Sequence, residues 1–416
     1  MNILHINASD KAGGAGIAAF RLHTAMLESG IESRMLVLRK KGDSAAVTAL
    51  EKWKSYFIAP LYNRYTKYRE LKSYHLTSAF STGMYGFNVS KHPLLQEADV
   101  IYLHWINGSM LSVKNVRQIL ALGKPVYWFM HDMWPITGGC HHSFDCSLYM
   151  THCGACPCLS SDKEKDISYR IHSLKIKQFS SLTNLFAVTP SQWLGECCRK
   201  STLFKNKRVT VIPNLIDTNL YKPVNKQVAR SILNLPENKK LILFGADMGT
   251  ENPYKGWIYL EEALLKIEQK DCEVVVFGNS HNSMIVNAVS MPIHFVGRLN
   301  DDYSLILLYS AIDVFVCPSM ADNFPNTIVE AMACKALVVG FNVGGIPDLI
   351  QHTQTGYLAS YKEASDLARG IDWCLEHSND SEIKDAARIQ IEKYCSYLGG
   401  ISLHLKMLNN TKNDLR

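Results

Sequence analysis

The run Asp313-Val-Phe-Val-Cys317 is short, apolar and rich in β-branched and aromatic residues, and a second such run, Ala336–Gly340, follows it closely. Runs without polar alternation suit strands buried on both faces, the condition of a parallel sheet covered by helices. Between them, Pro318-Ser319 ends the first strand and a polar loop carries Asp322 and Asn323. Pro325 suits the first turn of a helix, where its missing N–H is harmless, and Asn323 is the expected cap. The helix is expected over Asn326–Lys335, with Glu330 in its second turn, and Gly344-Gly345-Ile346-Pro347-Asp348 forms the loop after the second strand. Two carboxylates and a glycine loop therefore fall at the carboxyl ends of neighbouring parallel strands, where open α/β sheets bind ligands. Helix N-termini and backbone N–H groups at that edge suit a phosphate, and a carboxylate can grip sugar or ribose hydroxyls.

A chain of 416 residues with 47% hydrophobic and 20% charged residues has material for two ordinary globular domains. The net charge of +6 fits anionic ligands or an anionic membrane face and is too small to indicate nucleic-acid binding. Met1-Asn-Ile-Leu-His-Ile-Asn7 reads as a first strand rather than a signal peptide. No apolar run is long enough to span a bilayer, so the expected location is cytoplasmic, with peripheral contact at the inner membrane.

From the N-terminus, Ile3–Ile6, the loop Gly13-Gly14-Ala15-Gly16 and the pattern Ile17, Ala18, Phe20, Leu22, Ala25, Met26 describe a strand, a glycine loop and a helix. The loop lacks the G-x-G-x-x-G spacing of dinucleotide sites, and no acidic residue closes the next strand, Ser33–Leu38, which argues against a nicotinamide cofactor. Between Glu51 and Tyr74, Trp53, Tyr56, Phe57, Leu61, Tyr62, Tyr65 and Tyr68 alternate with Lys52, Lys54, Arg64, Lys67, Arg69 and Lys72. Such a segment either packs its aromatic stripe on its own domain or lies on an anionic membrane surface, where a lipid-linked acceptor would reside. Val100–Leu103 leads into His104-Trp105-Ile106-Asn107, and Val126–Met130 into His131-Asp132, placing polar residues just past strand ends.

Five of the 12 cysteines fall between Cys140 and Cys158, in the spacing Cys140-x5-Cys146-x6-Cys153-x2-Cys156-x1-Cys158. A cytosolic chain does not rely on disulfides, and four thiolates with one close pair can enclose zinc. Cys140, Cys146, Cys153 and Cys156 are the expected ligands of a structural zinc ion, with an iron–sulfur cluster as the alternative and a reduced, metal-free loop as the bland outcome. A closed four-cysteine site would leave no open position for catalysis.

Leu185–Val188 and Val209–Ile212 complete the first domain, and Pro213-Asn214-Leu-Ile-Asp217 opens the linker. Lys240–Gly245, Glu273–Gly278 and Ile293–Val296 are further strands; Lys255-Gly256 precedes a helix, and Arg298 follows a strand end. Lys255 is a compact cation suited to a diphosphate.

Together Pro318-Ser319, Asp322-Asn323-Phe324-Pro325-Asn326 and Glu330-Ala331-Met332-Ala333 resemble the E-x7-E signature of retaining GT-B glycosyltransferases of family GT4, with Asp at the first acidic position. The Gly344-Gly345-Ile346-Pro347 loop, Lys255-Gly256, the Pro213–Asp217 linker and His131-Asp132 fall at matching positions. Relatives often carry an arginine before the lysine, whereas Gly245-Ala246-Asp247 offers none. The resemblance implies two Rossmann-like doubly wound domains facing a cleft: residues 1–212 on the acceptor side with the cysteine insertion 137–159, residues 213–395 for the nucleotide sugar, and residues 396–416 as a helix crossing back. It implies transfer of a sugar from a nucleotide-sugar donor to a glycan or lipid-linked acceptor in bacterial surface polysaccharide assembly. Glu330 would hold the ribose, Asp322 and His131 the sugar, and Lys255 the phosphates. Gly13, Gly14, Asn323, Phe324, Arg298, Gly344 and Gly345 would line the donor site. No Asp-x-Asp constellation asks for a catalytic metal. An epimerase or hydrolase on the same fold, or a non-catalytic nucleotide-sugar scaffold, are the alternatives.

Overall fold

The apolar runs do form strands buried on both faces. In the computed structural model, which describes residues 1–245, 253–278, 289, 291–299 and 301–414, the chain divides into two units. Met1–Pro213 together with Ile401–Arg416 make the first, and Asn214–Gly400 the second. The first holds β1 (Asn2–Ser9), β2 (Glu32–Arg39), β3 (Val47–Ala49), β4 (Val100–Leu103), β5 (Val126–Phe129), β6 (Leu185–Thr189) and β7 (Val209–Val211). Their order is β3-β2-β1-β4-β5-β6-β7, every pair parallel. All residues of β4 and β5 are buried, with Trp128, Trp134 and Phe179 among the largest side chains of the core on one face.

The second unit holds β8 (Lys240–Gly245), β9 (Cys272–Phe277), β10 (Ile293–Gly297), β11 (Val314–Cys317), β12 (Leu337–Phe341) and β13 (Tyr357–Ala359), in the order β10-β9-β8-β11-β12-β13. The order reverses direction between β8 and β11, which makes the carboxyl ends of those strands the natural ligand edge of a doubly wound sheet. At the opposite, amino end, buried Asp313 accepts from Arg230 at 2.8 Å and from the Leu241 N–H at 2.8 Å, so it anchors the sheet.

Most strand limits match the apolar runs to within a residue or two. Two short edge strands, β3 and β13, were not expected. The helix carrying Glu330 ends at Ala333, two residues early, and Lys335 at φ 61° turns the chain into β12. Its start also differs from expectation. Pro325 occupies the cap position and no side chain caps the helix, so Asn323 is not the N-cap: proline reaches the extended cap conformation (φ −65°, ψ 115°) without help. The last helix runs Tyr397–Asp414, and from Ile401 onward it belongs with the first unit, where the Tyr102 hydroxyl lies 3.0 Å from His404 Nδ1. Its buried face is Ile401, His404, Leu408 and Thr411, at helical spacing, while Leu398 is 83% exposed.

Candidate active site

Three loops of the second unit meet at the carboxyl ends of β8, β11 and β12. The Met320 N–H donates to the Tyr254 carbonyl at 2.8 Å, joining the loop after β11 to the turn that carries Lys255. Gly256, at φ 70°, sits so close to Pro318 that a Cβ would meet its carbonyl oxygen at 1.9 Å. On the other side, the Gly345 N–H donates to the Asp322 carbonyl at 3.1 Å. Gly344, at φ 59°, approaches the same oxygen so nearly that a Cβ would stand 2.1 Å from it. Both glycines combine a left-handed backbone with a close approach, and only glycine supplies both.

The side chains on this frame are Lys255 and Asp322, paired at 2.7 Å between Nζ and Oδ2, with side-chain exposures of 29% and 16%. Asn323 and Phe324 are buried in the same loop. On the helix that follows, Glu330 is 4% exposed and accepts from the Tyr309 hydroxyl at 3.2 Å. Burial raises the Tyr309 phenol well above its ordinary range, so it stays a donor to that carboxylate. The linker residue Asn214 donates to the Phe324 carbonyl at 3.3 Å and to Asn326 Oδ1 at 3.0 Å, tying the linker to the start of the Glu330 helix. The structure thus brings Lys255, Asp322, Asn323, Gly344 and Gly345 together with Glu330 on the adjoining helix. Arg298 is exposed beyond β10, at the sheet edge and three strands from β11. Ala246 and Asp247 lie outside the described residues.

In the first unit, Gly13 (φ 67°) and Gly14 open the helix Gly13–Glu28, whose N-cap Ala12 supplies no side-chain bond. Asp10, just before it, accepts from the Lys41 and Gly42 N–H groups at 2.7 and 2.8 Å and fixes the loop. His131 and Asp132 enter different networks. Asp132 accepts from Trp105 Nε1 at 3.0 Å and from the Trp134 N–H at 2.8 Å, and pairs with His141 at 2.5 Å. Burial pushes its carboxyl up, but His141 and the Trp134 N–H outweigh that and hold it below the ordinary value. His131 is half-buried, and its Nε2 lies 3.0 Å from His104 Nδ1. His104 in turn meets His5, a residue that sequence reasoning passed over; its one signal was a polar side chain inside the apolar run Ile3–Ile6. Tyr309, another omission, left no sequence signal at all.

The cysteine segment folds against the same unit. Lys175, fully buried, donates to the Thr137 carbonyl at 2.9 Å and to that of Trp134, pinning the start of the segment. The Gly138 N–H donates to Cys153 Sγ at 3.1 Å. A cavity of about 20 Å³ is lined by Cys140, Cys146, Cys153 and Cys156, the four expected ligands, and is large enough for about one water-sized occupant. Among the described residues, however, no group of three or more His, Cys, Asp or Glu side chains stands close enough together to hold a metal. Cys158, set aside as the spare, is buried beside them and donates from Sγ to the His142 carbonyl at 3.8 Å. The segment between Trp53 and Tyr68 is helical, and Trp53, Tyr56, Phe57, Leu61, Tyr65 and Tyr68 are all exposed, the two most open at 69%. Tyr62 is the exception, packing against Tyr85 and Phe87.

Residues 239–377 match the family described as glycosyl transferases group 1. That match lies wholly within the second unit. An uncharacterized glycosyltransferase of Methanocaldococcus jannaschii is 29% identical over 70% of this chain and 78% of its own length. A putative colanic acid biosynthesis glycosyl transferase of Escherichia coli, WcaC, is 23% identical over 84% and 85%. Among solved structures, the Anabaena protein HepE, crystallised with UDP, superposes with a TM-score of 0.62 over 99% of this chain and all of its own, at 17% identity. The two-sheet architecture is therefore that of GT-B glycosyltransferases.

Proposed function

We propose that this chain is a retaining glycosyltransferase that moves a sugar from a nucleotide diphosphate to an acceptor hydroxyl. The observation that carries the proposal is the Lys255–Asp322 pair, set on glycine-dependent loops beside a buried Glu330. The transition state of such a transfer is cationic at the sugar and loads negative charge onto the departing diphosphate, so the site needs a fixed cation at the phosphates. Lys255 supplies it. An incoming diphosphate competes with Asp322 for the ammonium, and the exchange releases the Asp322 carboxylate to accept from sugar hydroxyls. Glu330, oriented by the Tyr309 hydroxyl, accepts from the ribose hydroxyls. No side chain of this set is placed as a covalent nucleophile, so attack on the same face as the leaving phosphate is the favoured course. In the first unit, His131 is assigned to the transferred sugar.

A uridine diphosphate donor is the first to test, since the Anabaena neighbour was solved with UDP and also with UDP and glucose. The colanic acid relative favours surface polysaccharide assembly. An exposed aromatic stripe flanked by Lys52, Arg64, Lys67, Arg69 and Lys72 favours action at an anionic membrane face, as a lipid-linked acceptor requires. The four cysteines are proposed as ligands of a structural zinc ion because they line one cavity. A thermal-shift panel of UDP-, GDP- and ADP-sugars tests the donor: a ligand at a hundred times its Kd stabilises by about 2.7 kcal/mol. Absence of any shift across the panel at millimolar ligand would count against nucleotide-sugar binding.

A further inference from the structure

Three histidines, one on β1 and two just past the ends of the neighbouring strands β4 and β5, form one hydrogen-bonded chain in the first unit. The strands β1, β4 and β5 are adjacent, with His5 paired to Tyr102 and Leu103 to Trp128. Stepping two residues on from one strand to the next keeps the same face of the sheet, so His5, His104 and His131 line up diagonally across it. His5 Nδ1 lies 2.9 Å from His104 Nε2, and His104 Nδ1 lies 3.0 Å from His131 Nε2. Successive rings stack at 5.2 and 5.3 Å between centroids, with interplanar angles of 27° and 24°. His5 and His104 are 0% and 2% exposed. At the inner end, His5 Nε2 lies 3.3 Å from the Met26 sulfur.

The chemistry of that inner end settles the direction of every bond. A thioether accepts and never donates, so the proton of His5 sits on Nε2 and its Nδ1 carries the lone pair. His104 then donates through Nε2, which leaves its own Nδ1 to accept from His131 Nε2. The geometry points to Met26, His5 and His104 as positioning residues that lock His131 in its Nε2–H tautomer, with Nδ1 the accepting nitrogen. Burial keeps the chain uncharged at neutral pH, lowering His5 and His104 well below their ordinary value and His131 to about 4.

The consequence rests on the assignment of His131 to the transferred sugar. A histidine held in this form accepts from a hydroxyl group and offers no second N–H to a phosphate or carbonyl oxygen. It therefore selects a sugar that presents a hydroxyl donor at that point. A deoxy or methylated donor lacking that hydroxyl would lose the bond.

The test is a long-range proton–nitrogen correlation spectrum of the full chain labelled with 15N-histidine, near pH 7. His5, His104 and His131 assigned as neutral Nε2–H tautomers support the inference; an Nδ1–H tautomer or an imidazolium at His131 overturns it, whatever the activity. The second arm compares His104→Asn, whose side-chain oxygen can still accept from His131, with His104→Leu, which cannot. The expected result is a mixed tautomer at His131 only in the leucine variant, with kcat at least tenfold lower and donor KM little changed. A His131 tautomer that stays pure Nε2–H in His104→Leu overturns the lock. A tautomer that shifts as expected while turnover does not change leaves the lock standing and refutes the sugar assignment instead.

Discussion

Gly344→Ala isolates the contact that joins the β12 loop to Asp322. At φ 59° an alanine pays for a left-handed backbone, about 1–2 kcal/mol. Its Cβ would also stand 2.1 Å from the Asp322 carbonyl oxygen, where 3.0 Å is the practical floor, so that oxygen must withdraw by 3.0 − 2.1 = 0.9 Å. A shift of that size breaks the 3.1 Å bond from the Gly345 N–H to the same oxygen, a further loss of about 1 kcal/mol. The sum is about 2–3 kcal/mol. For a unit of this size each kcal/mol moves the melting point by roughly 2–4 °C, so the variant should melt about 4–12 °C lower. Gly297→Ala is the matched control in the same unit: φ is 72°, but nothing lies within 4 Å of its Cβ position. It should show the backbone cost alone and leave nucleotide binding intact, whereas Gly344→Ala drags the Asp322 loop and weakens it. Thermal unfolding of both variants, with and without a nucleotide sugar, reads the difference. Equal melting points together with equal ligand shifts would refute the reasoning.

Three further outcomes are expected. Changing Tyr56 and Phe57, both 69% exposed, to serine should cut flotation with anionic vesicles at least tenfold, because each buried aromatic contributes about 1.5–3 kcal/mol; indifference to anionic lipid would remove the membrane docking. Elemental analysis of the purified chain should find zinc at about one per chain, with Cys153→Ser releasing it, and metal-free protein with unchanged melting would remove the zinc. Acidification should destabilise the first unit, because buried His5, His104 and His404 have pKa values lowered from 6.5. Below pH 6.5 the unfolded chain binds protons that the fold does not, so stability falls as pH falls, by about 1.4 kcal/mol per pH unit for each histidine. A flat profile between pH 6.5 and 5 in urea titrations would contradict that burial.

Much of the fold was legible because parallel strands buried on both faces leave uninterrupted apolar runs, and β4, β8, β11 and β12 stand in the sequence nearly as they fold. The second-unit site was legible as well: Asp322, Glu330 and the glycines follow strand ends, and loops at those ends face one edge of the sheet. What could not be read was pairing at a distance. Nothing in the sequence says that Lys255 meets Asp322, which the adjacency of β8 and β11 brings about, or that Tyr309 donates to Glu330, which depends on how the helices Asp302–Ala311 and Asn326–Ala333 pack on either side of β11 in sequence. The histidine row was hidden in the same way, because its members lie in three segments that only the sheet aligns. For the aromatic segment, two outcomes were open, and the exposure of all but Tyr62 and the buried Leu71 end favours the outward-facing one. The cap at Asn323 failed because proline took the position for itself.

Donor turnover by the wild-type chain, Lys255→Ala and Glu330→Gln bears most directly on the proposed chemistry. With a stabilising nucleotide sugar and an acceptor glycan, the wild type should release nucleoside diphosphate and form a product with the donor's anomeric configuration. Lys255→Ala should lower kcat by at least a hundredfold, about 2.7 kcal/mol of lost charge stabilisation at the leaving group, and Glu330→Gln should mainly raise the donor KM. Full turnover in both variants, or a product of inverted configuration, would contradict the account.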